Sequence, residues 1–336
     1  MEKESKKVIL TGDRPTGKLH LGHYAGSLEN RVKMQDKYEM FIIIADYQVL
    51  TDHLKDTSLV EQSIHDLVLD YLAVGINPSK VGIFVQSRIP AIVELHMYFS
   101  MLVNLPRLQR NPTVKEELKK SGSELTYGFL GYPISQAADI LAFDADLVPV
   151  GEDQVAHVEQ TREIARDFNR IFGKTFKVPE ALVGRAKRLP GIDGDKMSKS
   201  RNNAIYLNDP SAVVKQKVQK AITDPGRIHQ FDPGNPDVCV VFQYYRYFLG
   251  EGSSQLKQME NECHQGKIGC TACKMRAAEK ISEFLKPIQD RRSGFAKDAG
   301  LVSRVLKSGT AKANKKTQEV LEKARQAMHY DYPSIF

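Results

Sequence analysis

The sequence predicts an α/β fold, a parallel sheet followed by a helix-rich C-terminal region. Three observations lead there. Apolar strand-like runs at Val8–Leu10, Glu39–Ile44 and Val81–Val85 alternate with helix-period stretches, the pattern of parallel strands joined by right-handed crossovers. A glycine-bearing turn from Gly12 to Gly17 follows the first run and leads into a helical stretch near Leu19, so free backbone N–H groups face a site suited to phosphate. Beyond Leu207 the pattern is mostly helical and the charge changes. Residues 207–336 carry 21 Lys and Arg against 14 Asp and Glu, whereas the first 206 hold 27 of each. A neutral first part and a basic second part point to a polyanionic partner for the latter.

Taken in order, Val8, Ile9 and Leu10 read as a buried strand, and Glu39 to Ile44 as its neighbour. Val60, Ile64, Leu67, Val68, Tyr71 and Leu72 recur with helical period inside Ser58–Val74, which Asn77-Pro78 ends. Residues 91–127 read as irregular helix, with Lys115 to Glu124 as a polar loop. Helices are expected over Tyr132–Phe143 and Gln154–Phe172, with a short strand Leu147–Val150 between them. A second domain is expected from residue 207, giving 1–206 and 207–336. It starts with the helix signal Asp209-Pro210-Ser211 and ends in a lysine-rich helix from Ala311 to His329. Asp224–Asp237, rich in Pro and Gly, reads as loop.

The first seven residues have no apolar core and no apolar run is long enough to span a bilayer, so a cytoplasmic protein without a leader or membrane segment is expected. The glycines of Val8–His23 match neither a dinucleotide fingerprint nor a P-loop. His20 and His23 lie three apart on one helix face, which suits a capping or solvated pair as well as a phosphate-binding one. Lys196-Met197-Ser198-Lys199-Ser200, after a Gly-rich turn, suits an exposed loop or one closing on a triphosphate. Asp139 begins an apolar stretch, where a carboxylate needs a basic partner or a polar ligand.

His-Leu-Gly-His early and Lys-Met-Ser-Lys-Ser late resemble the signatures of class I aminoacyl-tRNA synthetases. Gly131–Leu141 and Val148–Gln154 between them resemble the tryptophanyl-tRNA synthetases in particular, over nearly the whole chain. The resemblance implies a Rossmann-like catalytic domain and a helical anticodon-binding domain. The implied reaction joins L-tryptophan to ATP as an adenylate and passes it to tRNA(Trp), with Mg²⁺ assisting. It implies His20, His23, Lys196 and Lys199 as catalytic groups. For ATP it implies Arg14, Pro15, Thr16, Gly22, His23, Gly151, Glu152, Asp153, Leu189 and the run Lys196, Met197, Ser198, Lys199, Ser200. For tryptophan it implies Asp139 on the indole N–H, with Tyr132, Gln136, Val148 and Val150 around the ring and Gln154 on the amino group. A homodimer bridged by tRNA is also implied.

The chain departs from the family at three places: Gln136 where many members carry Met, Gln48 where His is common, and His-Leu-Gly-His where some have Thr-Ile-Gly-Asn. The alternative closest in chemistry is a tyrosyl-tRNA synthetase, whose phenol a carboxylate also serves. A nucleotidyltransferase would lack the lysine loop, and a silent RNA-binding protein would not need the intact histidines and lysines.

All four cysteines, Cys239, Cys263, Cys270 and Cys273, fall in the second part. Such a set in a cytosolic chain suits a metal site rather than disulfides. Zinc and a [4Fe–4S] cluster both accept four thiolates. The spacing resembles a subset of tryptophanyl-tRNA synthetases with a C-terminal iron–sulfur cluster, which implies the cluster, with Zn²⁺ as the alternative. It would fix the loop that presents Lys267, Lys274 and Arg276 to the tRNA.

Overall fold

The computed structural model describes residues 6–121, 125–151, 154–183, 189–199 and 201–335. Five strands, β1 (Val8–Asp13), β2 (Glu39–Ile44), β3 (Gly82–Val85), β4 (Leu147–Val150) and β5 (Glu180–Val183), form one sheet in the order β3-β2-β1-β4-β5. Every pairing is parallel. Register runs from Val8 opposite Glu39 to Asp13 opposite Ile44, and from Phe41 opposite Gly82 to Ile44 opposite Val85. Val8-Ile9-Leu10 and Met40 to Ile44 are buried as their unbroken apolar runs require of strands covered on both faces. The central strand β1 has β2 on one side and β4 on the other, so the chain order reverses there. In open parallel sheets the crevice at the carboxyl ends of such strands takes the ligand.

After β1, α1 (Leu21–His23) runs through a π-turn at Tyr24–Leu28 into α2 (Glu29–Met34). Then come α3 (Leu50–His53), α4 (Val60–Val74), α5 (Pro90–Ser100), α6 (Leu105–Gln109), α7 (Pro112–Ser121), α8 (Tyr127–Ala142) and α9 (Val155–Phe172). The C-terminal part contributes α10 (Ser211–Gln219), α11 (Val240–Leu249), α12 (Ser254–His264), α13 (Cys270–Ala296) and α14 (Leu301–Ala327).

Four elements differ from the sequence reading, the first being α8, which begins at Tyr127 rather than Tyr132. Lys115 to Ser121 is helical, part of α7, because Asn111 accepts the Thr113 N–H beside Pro112 at the helix start. Strand β5 was not expected, since Glu180-Ala-Leu-Val is short and its side chains are only half-covered. The last helix begins at Leu301 rather than Ala311, and Gly309 lies inside it. A Cβ at Gly309 would fall 1.8 Å from the Ile83 carbonyl, so that glycine lets α14 lie directly on β3.

The halves on either side of residue 206 share their cores. One joins Leu28, Leu67 and Tyr71 to Tyr244, Ile281 and Leu285, and the other joins Phe84, Phe99 and Phe143 to Val320 and Leu321. The helical region therefore packs on the sheet and α4 rather than standing apart. Among the described residues, no helix is long and apolar enough to cross a membrane.

Candidate active site

At the carboxyl ends of β1, β2 and β4 opens a cleft of about 1690 Å³. The glycine turn, His20 and His23, the lysine loop and the Asp139 recess all open onto it. The sequence separates these groups by more than 170 residues, and the fold brings them together.

His20 is the N-cap of α1. Its Nδ1 accepts the His23 N–H at 3.3 Å, and His23 Nδ1 accepts the His20 N–H at 3.2 Å. Each Nδ1 is therefore an acceptor, which fixes the proton of a neutral ring on Nε2, where it can be donated. Burial is the largest cause lowering His20 to about 3, and the charges of His23, Lys199 and Lys196 lower it further. Burial also lowers His23 to about 4, against the opposing pull of Asp13. Capping and ligand binding are thus compatible here: the pair holds the helix start through Nδ1 and leaves two Nε2–H donors.

A Cβ on Gly22 would meet His20 at 3.0 Å and Met197 at 3.3 Å, and the Gly22 N–H reaches Met197 Sδ at 3.3 Å. The lysine loop is thus folded over the histidine turn, an approach that a side chain at Gly22 would crowd. Lys199 Nζ donates to the Gly17 carbonyl at 2.8 Å. Burial lowers the pKa of Lys199, opposed by the charges of Asp13 and Asp70. Lys196 is exposed at the mouth. Asn203, which sequence reasoning passed over, braces the loop: it accepts the Ser198 N–H at 2.8 Å and donates to Asp193 and to the Lys196 carbonyl. Arg14 and Thr16 line the cleft, Arg14 paired with Asp52, while Pro15 is buried and stands off its wall. Gly151 and Leu189 line it too. Glu152, Asp153 and Ser200 lie outside the described residues.

Asp139 is 5 % exposed and sits on α8 at the floor of a recess lined by Tyr132, Gln136, Val148, Val150 and Gln154. Gln86, just past β3, donates through Nε2 to both carboxylate oxygens at 2.8 and 2.9 Å, and its Oε1 accepts the Tyr47 N–H. Burial pushes Asp139 up to about 8; the Gln86 hydrogen bond opposes this and the charge of Asp46 adds to it. No basic side chain pairs with it among the described residues; its hydrogen-bond partner there is the Gln86 amide. Because the folded value lies above the ordinary 3.8, this group favours folding below about pH 4, and the contribution is lost as pH rises through about 8. Asp139→Asn should flatten that part of the stability–pH curve in denaturant titrations. An unchanged slope between pH 4 and 8 would mean the carboxyl is not strained by burial.

Behind these groups lies a cluster that the sequence did not signal. Burial alone would raise the pKa of Asp13, but Arg31 at 2.5 Å overcomes it and holds the carboxyl at about 2. Tyr71 also donates to Asp13 at 2.6 Å. Asp13 ends β1 and faces His23, while Arg31 looked like an ordinary surface charge of a helix.

The four cysteines are free thiols at the start of α11, on α12 and in the first turn of α13. Burial raises Cys239, Cys263 and, to about 12, Cys273, and the like charges of the other thiols add to each rise. A Cβ on Gly234 would lie 2.6 Å from Cys263 Sγ, so glycine makes room there, and Arg227 reaches Cys270 Sγ at 3.7 Å. Among the described residues no three His, Cys, Asp or Glu side chains stand arranged around one metal ion. Lys274 is tied to the Gln219 carbonyl and Arg276 to Glu262, so these two are less free than the sequence suggested.

A parallel sheet with paired histidines at the first crossover and a lysine loop closing on them defines a class I tRNA synthetase. The family model described as tRNA synthetases class I (W and Y) matches residues 2–286. The tryptophan--tRNA ligase of Streptococcus pyogenes is 47 % identical over 98 % of this chain and 99 % of its own. The tryptophanyl-tRNA synthetase of Campylobacter jejuni, crystallised with ADP and tryptophan, superposes with TM-score 0.87 and 31 % identity, covering 96 % of this chain and 99 % of that one. A tyrosyl-tRNA synthetase from Archaeoglobus fulgidus shares the fold at TM-score 0.66 and 20 % identity, over 87 % of this chain and 91 % of that one. The chain belongs to the tryptophanyl-tRNA synthetase family. It is an aminoacyl-tRNA ligase, and the tyrosine alternative falls to a likeness of fold.

Proposed function

We propose that the cleft binds ATP between the histidine turn and the lysine loop, and tryptophan in the Asp139 recess. The observation that carries this reading is Asp139 itself, a buried carboxyl held by one amide and opening onto a slot lined by Val148, Val150, Tyr132 and two glutamines. The indole N–H is the only polar group of a tryptophan side chain, and a carboxylate with free lone pairs accepts it. Tyr132, Gln136, Val148 and Val150 enclose the ring, and Gln154 takes the α-amino group. With the carboxylate of tryptophan facing the α-phosphate, reaction needs alignment and charge stabilisation rather than an enzyme nucleophile. The Nε2–H groups of His20 and His23 donate to the α-phosphate or ribose. Gly151, Glu152 and Asp153 hold the ribose, Leu189 packs on adenine, and Lys196 and Lys199 meet the β- and γ-phosphates. Mg²⁺ enters on those phosphates as part of the substrate. Since the chain contains no Trp, binding can be followed by the ligand's own fluorescence. Saturable tryptophan binding that excess tyrosine fails to displace is expected, and displacement by tyrosine would reject the recess as tryptophan-specific.

Residues 207–336 are assigned to tRNA(Trp), with 1–206 as the catalytic domain by function even though the packing joins them. On α14, Lys315 and Lys323 are exposed and Lys316 half-covered, whereas Lys312 bonds the Ser79 carbonyl and Arg325 is forked to Glu94. Neutralising Lys315, Lys316 and Lys323 should weaken tRNA binding and lower its salt dependence, read by filter binding across salt concentrations. Unchanged binding would leave that helix an ordinary solvated surface. The exposed side chains of Val93 and Met97 on α5 and of nearby Met101 suit a homodimer contact. A cytoplasmic location accords with this work on tRNA.

Cys239, Cys263, Cys270 and Cys273 are assigned to a [4Fe–4S] cluster. The gathering of four free thiols at the junction of α11, α12 and α13, and the Arg227 guanidinium near Cys270 Sγ, suit four thiolates around one anionic group. Bound there, the cluster supplies a structural staple that fixes α12 and the start of α13 on α11. Protein purified without oxygen should contain iron and acid-labile sulfide, and stoichiometric zinc without sulfide would replace the cluster by zinc.

A further inference from the structure

We infer that Arg292 and Gln289, near the far end of α13, are positioning residues for the ATP site. The inference rests on the reading of the cleft given above.

The backbone segment that carries the histidine turn is paired with the segment that leaves the lysine loop. Leu207 N donates to the Leu19 carbonyl at 3.0 Å, Leu21 N donates to the Ile205 carbonyl at 2.9 Å, and His20 bridges Tyr206. These two short segments form a rail on which both signatures ride. Ser198, Lys199 and Asn203 lie just before its second half, His20 lies on its first, and His23 follows on α1.

One helix clamps both halves of the rail. Gln289 Nε2 donates to the carbonyls of Leu207 and Asp209 at 3.1 and 2.9 Å. Arg292 Nε donates to Asp70 Oδ1 at 2.7 Å, and the other oxygen of Asp70 accepts the Leu19 N–H at 3.4 Å. Asp70 is 2 % exposed and Arg292 half-covered, so this pair is largely shielded from water. The second arm of Arg292 goes to Asp66 at 2.5 Å, which makes no hydrogen bond to the rail among the described residues. Asp70 therefore converts the place of Arg292 into the place of Leu19, one residue before the imidazole of His20. Arg291 fixes the same stretch of α13 to α4 through the Ala73 carbonyl.

The same α13 starts at Cys270 and Cys273, about 33 Å away along a continuous helix. The four-thiol end and the ATP end of the molecule thus share one helix, in which Pro287, with no N–H to donate, stands two residues before Gln289. Moving that element shifts both halves of the rail together, so the histidine turn and the lysine loop keep register with each other.

The test is a comparison of three variants in tryptophan-dependent ATP–pyrophosphate exchange, with tryptophan affinity from ligand fluorescence and stability from thermal unfolding. Arg292→Lys keeps the charge but replaces the planar guanidinium that fixes Asp70 Oδ1 with a flexible ammonium drawn between Asp70 and Asp66, so Asp70 is no longer held in one place. Gln289→Met keeps the stem and removes the two donors to the rail. Asp66→Asn weakens the same ion cluster without touching the rail. Arg292→Lys and Gln289→Met should each lower kcat/KM for ATP at least tenfold and leave the tryptophan dissociation constant within twofold. Asp66→Asn should lower stability and leave kcat/KM for ATP within twofold. If all three change exchange in proportion to their loss of stability, or if Arg292→Lys and Gln289→Met leave it unchanged, the residues are structural only and the inference is wrong. If Arg292→Lys does not fold, Gln289→Met alone decides by the same criteria. Absence of tryptophan-dependent exchange in the unmodified protein would instead overturn the reading of the cleft.

Discussion

Lys199→Ala should lower the rate of tryptophan activation by roughly 10²–10³, about 3–4 kcal/mol of transition-state stabilisation, with little change in tryptophan affinity. The magnitude follows from where the ammonium sits. It is half-covered, 2.8 Å from the Gly17 carbonyl and closed over the turn that carries both histidines. Charge builds on the pyrophosphate as it leaves, and a cation in a partly water-excluded site acts on that charge far more strongly than one in solvent. Lys196 is exposed, so Lys196→Ala should cost less than its partner. Stopped-flow measurement of adenylate formation separates the two constants. A raised tryptophan dissociation constant with an unchanged rate would remove Lys199 from phosphate chemistry.

Asp139→Ala should cost roughly 1–3 kcal/mol of tryptophan affinity, because the indole N–H would enter a slot with its acceptor removed. The loss reaches further than the contact, since Gln86 Nε2 would lose its acceptor as well. Asp139→Asn provides the contrast. Its amide oxygen still accepts the indole N–H, so affinity should fall less than in the alanine variant, while the titration near pH 8 disappears. Equal losses in both variants would mean that size rather than hydrogen bonding sets the recess, and no loss in either would return Asp139 to a buried structural carboxyl.

The parts of the site that were legible in the sequence are those whose chemistry is local. Val8-Ile9-Leu10 announced β1 by composition alone, and the helix start beside His20 was visible from the glycines around it. Asp139 stood out because a carboxylate in an apolar run is costly wherever the run folds. What escaped notice were the side chains whose role exists only after folding. Gln86 follows an apolar strand and gives no sign of Asp139, which lies 53 positions later. Asn203 looks like one more loop amide until it meets Ser198. Arg31 and Arg292 look like helix surface charges, yet one is buried against Asp13 and the other bridges two carboxylates of α4. Helix α14 begins ten residues before the sequence reading places it, and Gly309 inside it lies directly against β3.

Amino-acid-dependent ATP–pyrophosphate exchange, run with each of the twenty amino acids in turn, tests the central claim most directly. Exchange should depend on tryptophan far more than on tyrosine or phenylalanine if Asp139 accepts the indole N–H as proposed. Exchange driven better by tyrosine, or exchange with no amino-acid preference, would contradict it.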